Sequence, residues 1–260
     1  MNRRELIVAS LLALPALALP MQASAAALDD IMKAKTIKIA VPQDFAPFGS
    51  AGPDLQPVGY DIDMANLIAK ELGVKIELVP VNSANRIPYL QTKKVDLVIS
   101  SLGKNPEREK VIDFSKAYAP FFQGVFGVKD AKIDKPEDLA GKTVGATRGS
   151  IEEQEITKLA PNATIKRYED NNATIAAFLS GQVDIIATGN VVAAAIAEKS
   201  PGRAPVSKFV IKDSPCFIGM NKDEAALMAK VNEIIDKAKA SGDLTKISEK
   251  WLKAPLPPSI

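Results

Sequence analysis

The chain has 260 residues, of which 47% are hydrophobic and 25% are charged, and its formal net charge is +2. This length allows one large domain or two lobes, and the near-neutral charge gives no general attraction to nucleic acid or to a membrane surface. The sequence contains no histidine and one cysteine, Cys216, which excludes histidine-based catalysis, histidine metal ligands, an intrachain disulfide and a metal site built from several cysteines. No metal and no cofactor are predicted.

Residues 1–25 are predicted to be a secretory signal peptide. Two arginines precede an apolar run over residues 6–19, and Ala23-Ser24-Ala25 forms a small-residue cleavage site. The alternative is a transmembrane anchor, but the apolar run is interrupted by Pro15 and is too short to span a membrane comfortably. We expect cleavage after Ala25 and export of a soluble protein to the periplasm.

Alternating helix and strand patterns follow the signal peptide. In chain order they predict a helix over residues 28–33, a strand over 36–41, a helix over 62–72, a strand over 75–81, a helix over 87–92 and a strand over 95–99. Strands connected in this way run parallel, so each one delivers its following polar loop to the same edge of a sheet. Ligands of open α/β sheets bind at that edge.

The loop after the third of these strands is the strongest candidate for a binding site. It carries Ser101 and Lys104, and Pro106 can then open a helix that holds Arg108. An arginine fork can bind a carboxylate through two charge-assisted hydrogen bonds. The alternative is a solvated loop with a surface arginine.

A second α/β pattern follows a crossing segment. The glycine-interrupted apolar run over residues 119–128 suits a crossing between two lobes, and residues 208–212 are predicted to form the return crossing. The remaining pattern predicts a helical turn over 136–139, a strand over 142–146, a helix over 151–159 capped by Ser150, a strand over 164–168, a helix over 172–179, a strand over 183–187, an alanine-rich helix, a strand over 216–220, and helices over 224–240 and 244–252.

The predicted fold is therefore α/β with two lobes. Each lobe is expected to be a mostly parallel sheet flanked by helices, and two hinge crossings join the lobes. Residues 26–122 and 216–260 are assigned to lobe 1, and residues 123–215 to lobe 2.

Several short motifs occur in an order and spacing that together carry a family resemblance. They are Ala46-Pro47-Phe48, Gly59-Tyr60-Asp61-Ile62-Asp63-Met64-Ala65, the strand VDLVIS that begins at Val95, Asn105-Pro106-Glu107-Arg108, Asp113-Phe114-Ser115, Leu139-Ala140-Gly141-Lys142-Thr143-Val144-Gly145 and Leu179-Ser180-Gly181-Gln182-Val183-Asp184. Following a signal peptide, this series resembles the extracytoplasmic solute-binding proteins of the polar amino acid ABC importer family, over nearly the whole mature chain. The resemblance implies a type II periplasmic-binding-protein fold, which closes its two lobes on a solute and then docks on a membrane permease.

The resemblance also implies roles for individual residues. Arg108 would clamp the α-carboxylate of the ligand, assisted by Ser101 and by backbone N–H groups where Ser150 opens a helix. Phe45 and Phe48 fall where family members pack aromatic side chains over the ligand. The alternatives are core packing for both phenylalanines and a helix cap alone for Ser150.

The segment from Val81 to Pro88 narrows the ligand class. It is similar to the segment that places a serine and an arginine on the ligand in glutamate- and aspartate-binding members, so Ser83 and Arg86 would hold a second carboxylate. Lys104 and Arg148 would add positive potential near the same cleft. The alternatives for Arg86 are a charge on the surface of its helix or an ion pair with Asp170.

One position departs from the family pattern. Gly189 stands where the family usually carries an aspartate that holds the ammonium group of the ligand. Either another acid replaces it, with Asp44 and Asp170 as candidates, or the ligand has no ammonium group. The neutral Asn171 and Asn190 fit either case.

We therefore predict the substrate-binding component of an ABC importer for polar, acidic amino acids. It is expected to be a periplasmic monomer without enzymatic activity, with an ABC permease at the inner membrane as its partner and no affinity for nucleic acid. One alternative is a binder of an amine-free mono- or dicarboxylate. Another is a dehydratase of cyclohexadienyl acids, which would need a carboxyl acid in the cleft, and a third is a sensor protein without a transport role.

Overall fold

A computed structural model describes residues 26–260 of the chain. The predicted signal peptide, residues 1–25, lies outside these described residues. Within residues 26–260, no helix combines the length and the apolar character needed to cross a membrane. The described chain forms two lobes, each centred on one five-stranded sheet.

The sheet of lobe 1 contains β1 (Thr36–Pro42), β5 (Lys75–Val81), β6 (Leu97–Leu102), β7 (Asp113–Ala119) and β13 (Cys216–Met220). Its strand order is β5-β1-β6-β13-β7. Strand β1 pairs in parallel with β5 and β6, whereas β13 pairs antiparallel with both of its neighbours. All strands of this sheet except β13 therefore run in one direction.

The sheet of lobe 2 contains β8 (Phe122–Gly127), β9 (Thr143–Thr147), β10 (Thr164–Tyr168), β11 (Ile185–Gly189) and β12 (Val206–Asp213). Its strand order is β10-β9-β11-β8-β12, and here β8 is the reversed strand. A small third sheet, which the sequence analysis did not predict, consists of β2 (Asp44–Phe45), β3 (Gly49–Ala51) and β4 (Pro57–Val58).

Helices cover the faces of both large sheets. They are α1 (Ala26–Ala34), α2 (Tyr60–Leu72), α3 (Arg86–Gln91), α4 (Pro106–Glu109), α5 (Ile151–Leu159), α6 (Asn171–Leu179), α7 (Asn190–Lys199), α8 (Ala225–Ser241) and α9 (Asp243–Leu252), with short 3₁₀ helices at Pro136–Leu139 and Pro201–Arg203. Helix α2 shows why they form: its buried Tyr60, Met64, Ile68 and Leu72 recur every four residues and so lie on one face. Gly73 ends that helix in the left-handed conformation, with φ of 68°.

The predicted α/β fold with two lobes is confirmed, and the predicted position of the return crossing is corrected. Residues 208–212 do not cross between lobes, because they lie within edge strand β12 of lobe 2. The apolar run over 119–128 is divided between the end of β7 and strand β8. The chain passes between the sheets at residues 120–121 and 214–215, where the N–H of Ser214 donates to the carbonyl of Phe121 at 3.2 Å.

Candidate functional site

A cavity lies between the two lobes, at the carboxyl ends of several strands. Its lobe 1 wall follows β5 and β6, and its lobe 2 wall follows β9 and β11, as expected for open α/β sheets. The lining residues are Phe45, Ser83, Arg86, Ser101, Gly103, Arg108, Phe121, Gln123, Thr147, Ser150, Ile151, Glu152, Asn171, Ala187 and Thr188.

Arg108 is a buried cation in this cavity, with only 4% of its surface exposed. Asn105 caps its short helix, accepting from the N–H of Arg108 at 2.9 Å. Nη1 of Arg108 donates to the carbonyl of Gly103 at 2.8 Å, and Nη2 donates to the carbonyl of Gly149 in lobe 2 at 3.0 Å. Burial and the nearby Arg86 lower the pKa of Arg108 to about 9, so it stays cationic at neutral pH. Its Nε has no acceptor among residues 26–260.

Arg86 is a second buried cation in the same cavity. It opens α3 directly after a turn in which the side chain of Asn82 accepts from two backbone N–H groups. Its Nη1 donates to the carbonyl of Ser100, and its Nε finds no acceptor within the described chain. Burial lowers the pKa of Arg86, and the nearby Glu152 opposes that shift. Ser83, two residues beyond β5, lines the cavity beside it.

Glu152 lines the cavity although it is not among the site residues predicted from the sequence. This carboxylate is the second residue of α5, is buried and lines the cavity. Burial raises its pKa, whereas the positive helix end and the cationic Arg86 and Arg108 favour the ionised form. The available signal was its position two residues after Ser150, on the helix whose N-terminus was predicted to face the ligand.

Of the other predicted site residues, Phe45, Ser101, Ser150 and Asn171 also line the cavity. The hydroxyl of Ser150 caps α5 by accepting from the N–H of Glu153 at 3.0 Å. The predictions that these residues bind ligand stay predictions.

The remaining predicted residues lie outside the cavity lining. Phe48 is fully buried, with its ring centroid 5.7 Å from that of Tyr60, which matches the core-packing alternative. Lys104 and Arg148 are half-exposed and form ion pairs with Glu109 and Glu169, respectively.

Asp44 and Asn190 lie near the cleft and form hydrogen bonds with other segments of the protein. The carboxylate of Asp44 accepts from the backbone N–H and the side-chain amide of Asn171, at 2.7 and 3.0 Å. The side-chain oxygen of Asn190 accepts from the N–H of Phe122 at 3.1 Å. Asp170, considered as a replacement acid, caps α6 by accepting from the N–H of Ala173 at 2.7 Å.

The structure gives a physical reason for glycine at position 189. A Cβ atom there would lie 2.0 Å from Cζ of Phe121, far inside van der Waals contact. The Phe121 ring is itself held among Phe45 and Phe48, with centroid distances of 6.2 and 5.6 Å. Any side chain at position 189, including an aspartate, therefore requires this aromatic cluster to move.

We expect Gly189→Ala to lower the free energy of unfolding by about 1–3 kcal/mol, the usual cost of inserting a methyl group into a packed core. Urea denaturation of both proteins would measure it. Gly202→Ala is the matched control, since a Cβ at Gly202 would meet no atom within 4 Å. Equal stability of Gly189→Ala and the parent protein would show that the Phe121 ring yields freely.

The two lobes are in contact around the cavity. Besides the Arg108 bond to Gly149, the side chain of Asn105 donates to Oε1 of Gln154 at 2.8 Å, and Lys158 forms an ion pair with Glu107 at 3.1 Å. At Gly149, which has φ of 76°, an added Cβ would lie 2.8 Å from Cα of Ala84 in the opposite lobe. The arrangement is therefore that of lobes closed over a polar interior.

The chain is similar to known proteins over most of its length. Residues 37–254 match the family described as bacterial extracellular solute-binding proteins, family 3. The chain is 32% identical to the ABC transporter glutamine-binding protein GlnH of Bacillus subtilis (strain 168) over 222 residues, which are 84% of this chain and 81% of that protein.

Two solved structures are also similar. An amino acid ABC transporter substrate-binding protein, AbpA from Streptococcus pneumoniae, bound to L-arginine, is 34% identical with a TM-score of 0.80, covering 88% of this chain and 99% of that one. The ancestral amino acid-binding protein AncCDT-1, described as a precursor of cyclohexadienyl dehydratase, is 35% identical with a TM-score of 0.80, covering 86% of this chain and 98% of that one. These proteins are named as binding proteins, in agreement with the prediction of a binding module and not an enzyme.

Proposed function

The chain belongs to family 3 of the bacterial extracellular solute-binding proteins, and from this premise we propose that it captures an acidic amino acid for an ABC importer. As the substrate-binding component, it would close residues 123–215 over residues 26–122 and 216–260 and present the loaded form to an inner-membrane permease. It would act in the periplasm as a monomer after export.

The observation that carries the acidic preference is the presence of two buried arginines in one cavity. Arg86 and Arg108 both line it, and the Nε of each has no acceptor in the described part of the chain. A buried donor without a partner is costly, so these groups favour a ligand that brings acceptors. Arg108 would hold the α-carboxylate, and Arg86 with Ser83 would hold the side-chain carboxylate.

Glu152 supports a ligand that also carries an ammonium group. The charged side chains that line the cavity are Arg86, Arg108 and Glu152, which sum to +2 − 1 = +1. An acidic amino acid carries a net charge of −1 and balances the charge of these lining residues, whereas an amine-free dicarboxylate would leave them with an excess negative charge. Uncompensated buried charge is strongly unfavourable.

Two further acids lie near Arg86 but do not line the cavity. Asp44 receives hydrogen bonds from Asn171, and Asp61 receives them from Ser101 and Tyr118. Because Glu152 lines the cavity and Asp44 and Asp61 do not, Glu152 is the better candidate for the ligand's ammonium group.

The ligands named for similar proteins do not determine which amino acid side chain this protein binds. GlnH is named for glutamine, and the S. pneumoniae protein is bound to arginine. Glutamine and arginine share an α-carboxylate and an α-ammonium group and differ beyond them. Arg108 and Glu152 account for the shared part, and the acidic preference depends on Arg86 and Ser83.

A thermal-shift screen of the mature protein, freed of carried-over ligand by unfolding and refolding, tests the proposal. We expect L-glutamate or L-aspartate at 100 times Kd to stabilise by about 2.7 kcal/mol, which raises Tm by roughly 5–10 °C for a chain of this size. L-Glutamine, L-arginine, glutarate and succinate should stabilise far less. Stabilisation by L-glutamine or L-arginine alone would contradict the acidic preference, and stabilisation by glutarate alone would contradict the ammonium role of Glu152.

A further inference from the structure

We propose that Asp61 is a positioning residue of the ligand site, which acts by holding the peptide group between Ser100 and Ser101 in place. The inference rests on the proposed function only in requiring that the cavity binds an amino acid. Asp61 does not line the cavity, and it reaches the site through this peptide group.

The peptide group is held from both sides by buried ionisable groups. Asp61, the second residue of α2, is fully buried, and its Oδ2 accepts from the N–H of Ser101 at 2.6 Å. Its Oδ1 accepts from the hydroxyl of Tyr118 at 2.5 Å. On the other side of the same peptide group, the carbonyl of Ser100 accepts from Nη1 of Arg86. A carboxylate and a guanidinium therefore fix one peptide plane.

The backbone at Ser101 requires such support. Its φ is 41°, in the left-handed region that side-chain-bearing residues rarely adopt. Such backbone conformations persist where contacts with the surrounding structure hold them in place, and they occur often at ligand sites. The clamp formed by Asp61 and Arg86 supplies that constraint.

The constraint reaches the ligand through two neighbours. Ser101 itself lines the cavity, and two residues further on the carbonyl of Gly103 accepts from Nη1 of Arg108 at 2.8 Å. If the peptide group turned to relieve the left-handed conformation, the hydroxyl of Ser101 and the carbonyl that orients Arg108 would both move. Asp61 thereby sets the geometry of two groups that face the ligand.

The clamp depends on the ionised form of Asp61. Tyr118, Tyr60, Cys216 and Arg86 are the titratable groups that influence it or are influenced by it. Burial raises the pKa of Asp61 to about 7, against the hydrogen bonds from Tyr118 and Ser101 and the charge of Arg86. Protonation turns a charge-assisted bond to Ser101 into a weaker neutral one, so affinity is expected to fall as pH falls from 8 to 6.

A double-mutant cycle with L-glutamate at pH 8, measured by calorimetry, tests the role. Asp61→Asn should weaken binding about tenfold or more, within the range of coupling between contacting residues. In a Ser101→Gly background, where the backbone adopts positive φ without support, the same change should weaken binding less than about threefold. Equal losses in both backgrounds, or no loss in either, would overturn the proposal.

Tyr60→Phe is the matched control, because it removes a buried hydrogen bond of the same cluster, from the Tyr60 hydroxyl to the carbonyl of Tyr118 at 2.8 Å, and leaves both hydrogen bonds of Asp61 in place. It should lower Tm and leave the affinity for L-glutamate within about threefold. A loss in Tyr60→Phe as large as in Asp61→Asn would assign the effect to general destabilisation and overturn the proposal.

If Asp61→Asn does not fold, the pH dependence of the affinity replaces the cycle. The fall in affinity from pH 8 to pH 6 is then compared between the parent protein and Ser101→Gly. The fall should be smaller in Ser101→Gly, because the clamp is dispensable there, and equal falls would overturn the proposal. Should the parent protein bind L-glutamine and not L-glutamate, the acidic preference fails, and the cycle is run with L-glutamine to test Asp61 independently.

Discussion

Replacing Arg108 with alanine is expected to weaken binding of L-glutamate by roughly 30-fold to several thousand-fold. Arg108 is 4% exposed and is the cation assigned to the α-carboxylate. Removing one partner of a buried, hydrogen-bonded charge pair costs about 2–5 kcal/mol, and each 1.4 kcal/mol is tenfold in affinity. The variant also loses the bond between the lobes to Gly149, so the closed form is weakened together with the ligand contact.

Arg148→Ala is the matched control for this experiment. Arg148 precedes Gly149, whose carbonyl accepts from Arg108, but the side chain of Arg148 is half-exposed and pairs with Glu169. The affinity of Arg148→Ala for L-glutamate should stay within about threefold of that of the parent protein, because surface ion pairs contribute little. Both variants need a cooperative melting transition without ligand. A folded Arg108→Ala protein that L-glutamate still stabilises fully would remove Arg108 from the site.

Features encoded in short stretches of sequence were predictable. Strands β5 and β13 and helix α5 were predicted with the bounds that the structure gives them. Arg108 follows a buried strand by only a few residues, so the chain itself carries it to the strand's carboxyl end. The same holds for Arg86 after β5, and both arginines line the cavity as the sequence analysis expected.

Features that depend on contacts between distant segments were not predictable in the same way. The bond from Ser101 to Asp61 joins residues 40 positions apart, and nothing near either residue indicates the other. The exclusion of a side chain at Gly189 depends on Phe121 in the hinge region. The family resemblance implies an aspartate at this position, and only the fold shows the ring that occupies its space.

Two errors have a common origin in ambiguous local patterns. Acidic residues in the first turn of a helix usually interact favourably with the helix dipole. Because Glu152 fits that general role, its position in the first turn does not indicate a residue of the cavity. The segment over residues 208–212 has three apolar residues between two lysines, a pattern that fits an edge strand and a crossing equally well. Pairing with β8 makes it a strand. In both cases the tertiary neighbour decides, and the local sequence does not contain it.

Glu152→Gln is expected to change which ligand the protein prefers. In the proposed site Glu152 faces the ammonium group of L-glutamate, so its neutral isostere loses a charge-assisted hydrogen bond of about 1.5–3 kcal/mol, or roughly 10- to 150-fold in affinity. Glutarate has two carboxylates and no ammonium group, so the parent protein repels it through Glu152. Removing that charge should strengthen glutarate binding at least about tenfold, since like-charge contacts cost several kcal/mol.

The quantity to measure is the ratio of the two dissociation constants, by calorimetry at neutral pH, because a general loss of stability moves both constants in one direction. The ratio should shift by about 100-fold or more toward glutarate in Glu152→Gln. Glu155→Gln is the control, since Glu155 lies on the same helix outside the cavity lining and its carboxylate is 3.9 Å from Lys158; its ratio should equal that of the parent. An unchanged ratio in folded Glu152→Gln would mean that the ammonium group is held elsewhere. Asp44, whose Oδ1 has no partner among residues 26–260, would then be the next carboxylate to replace.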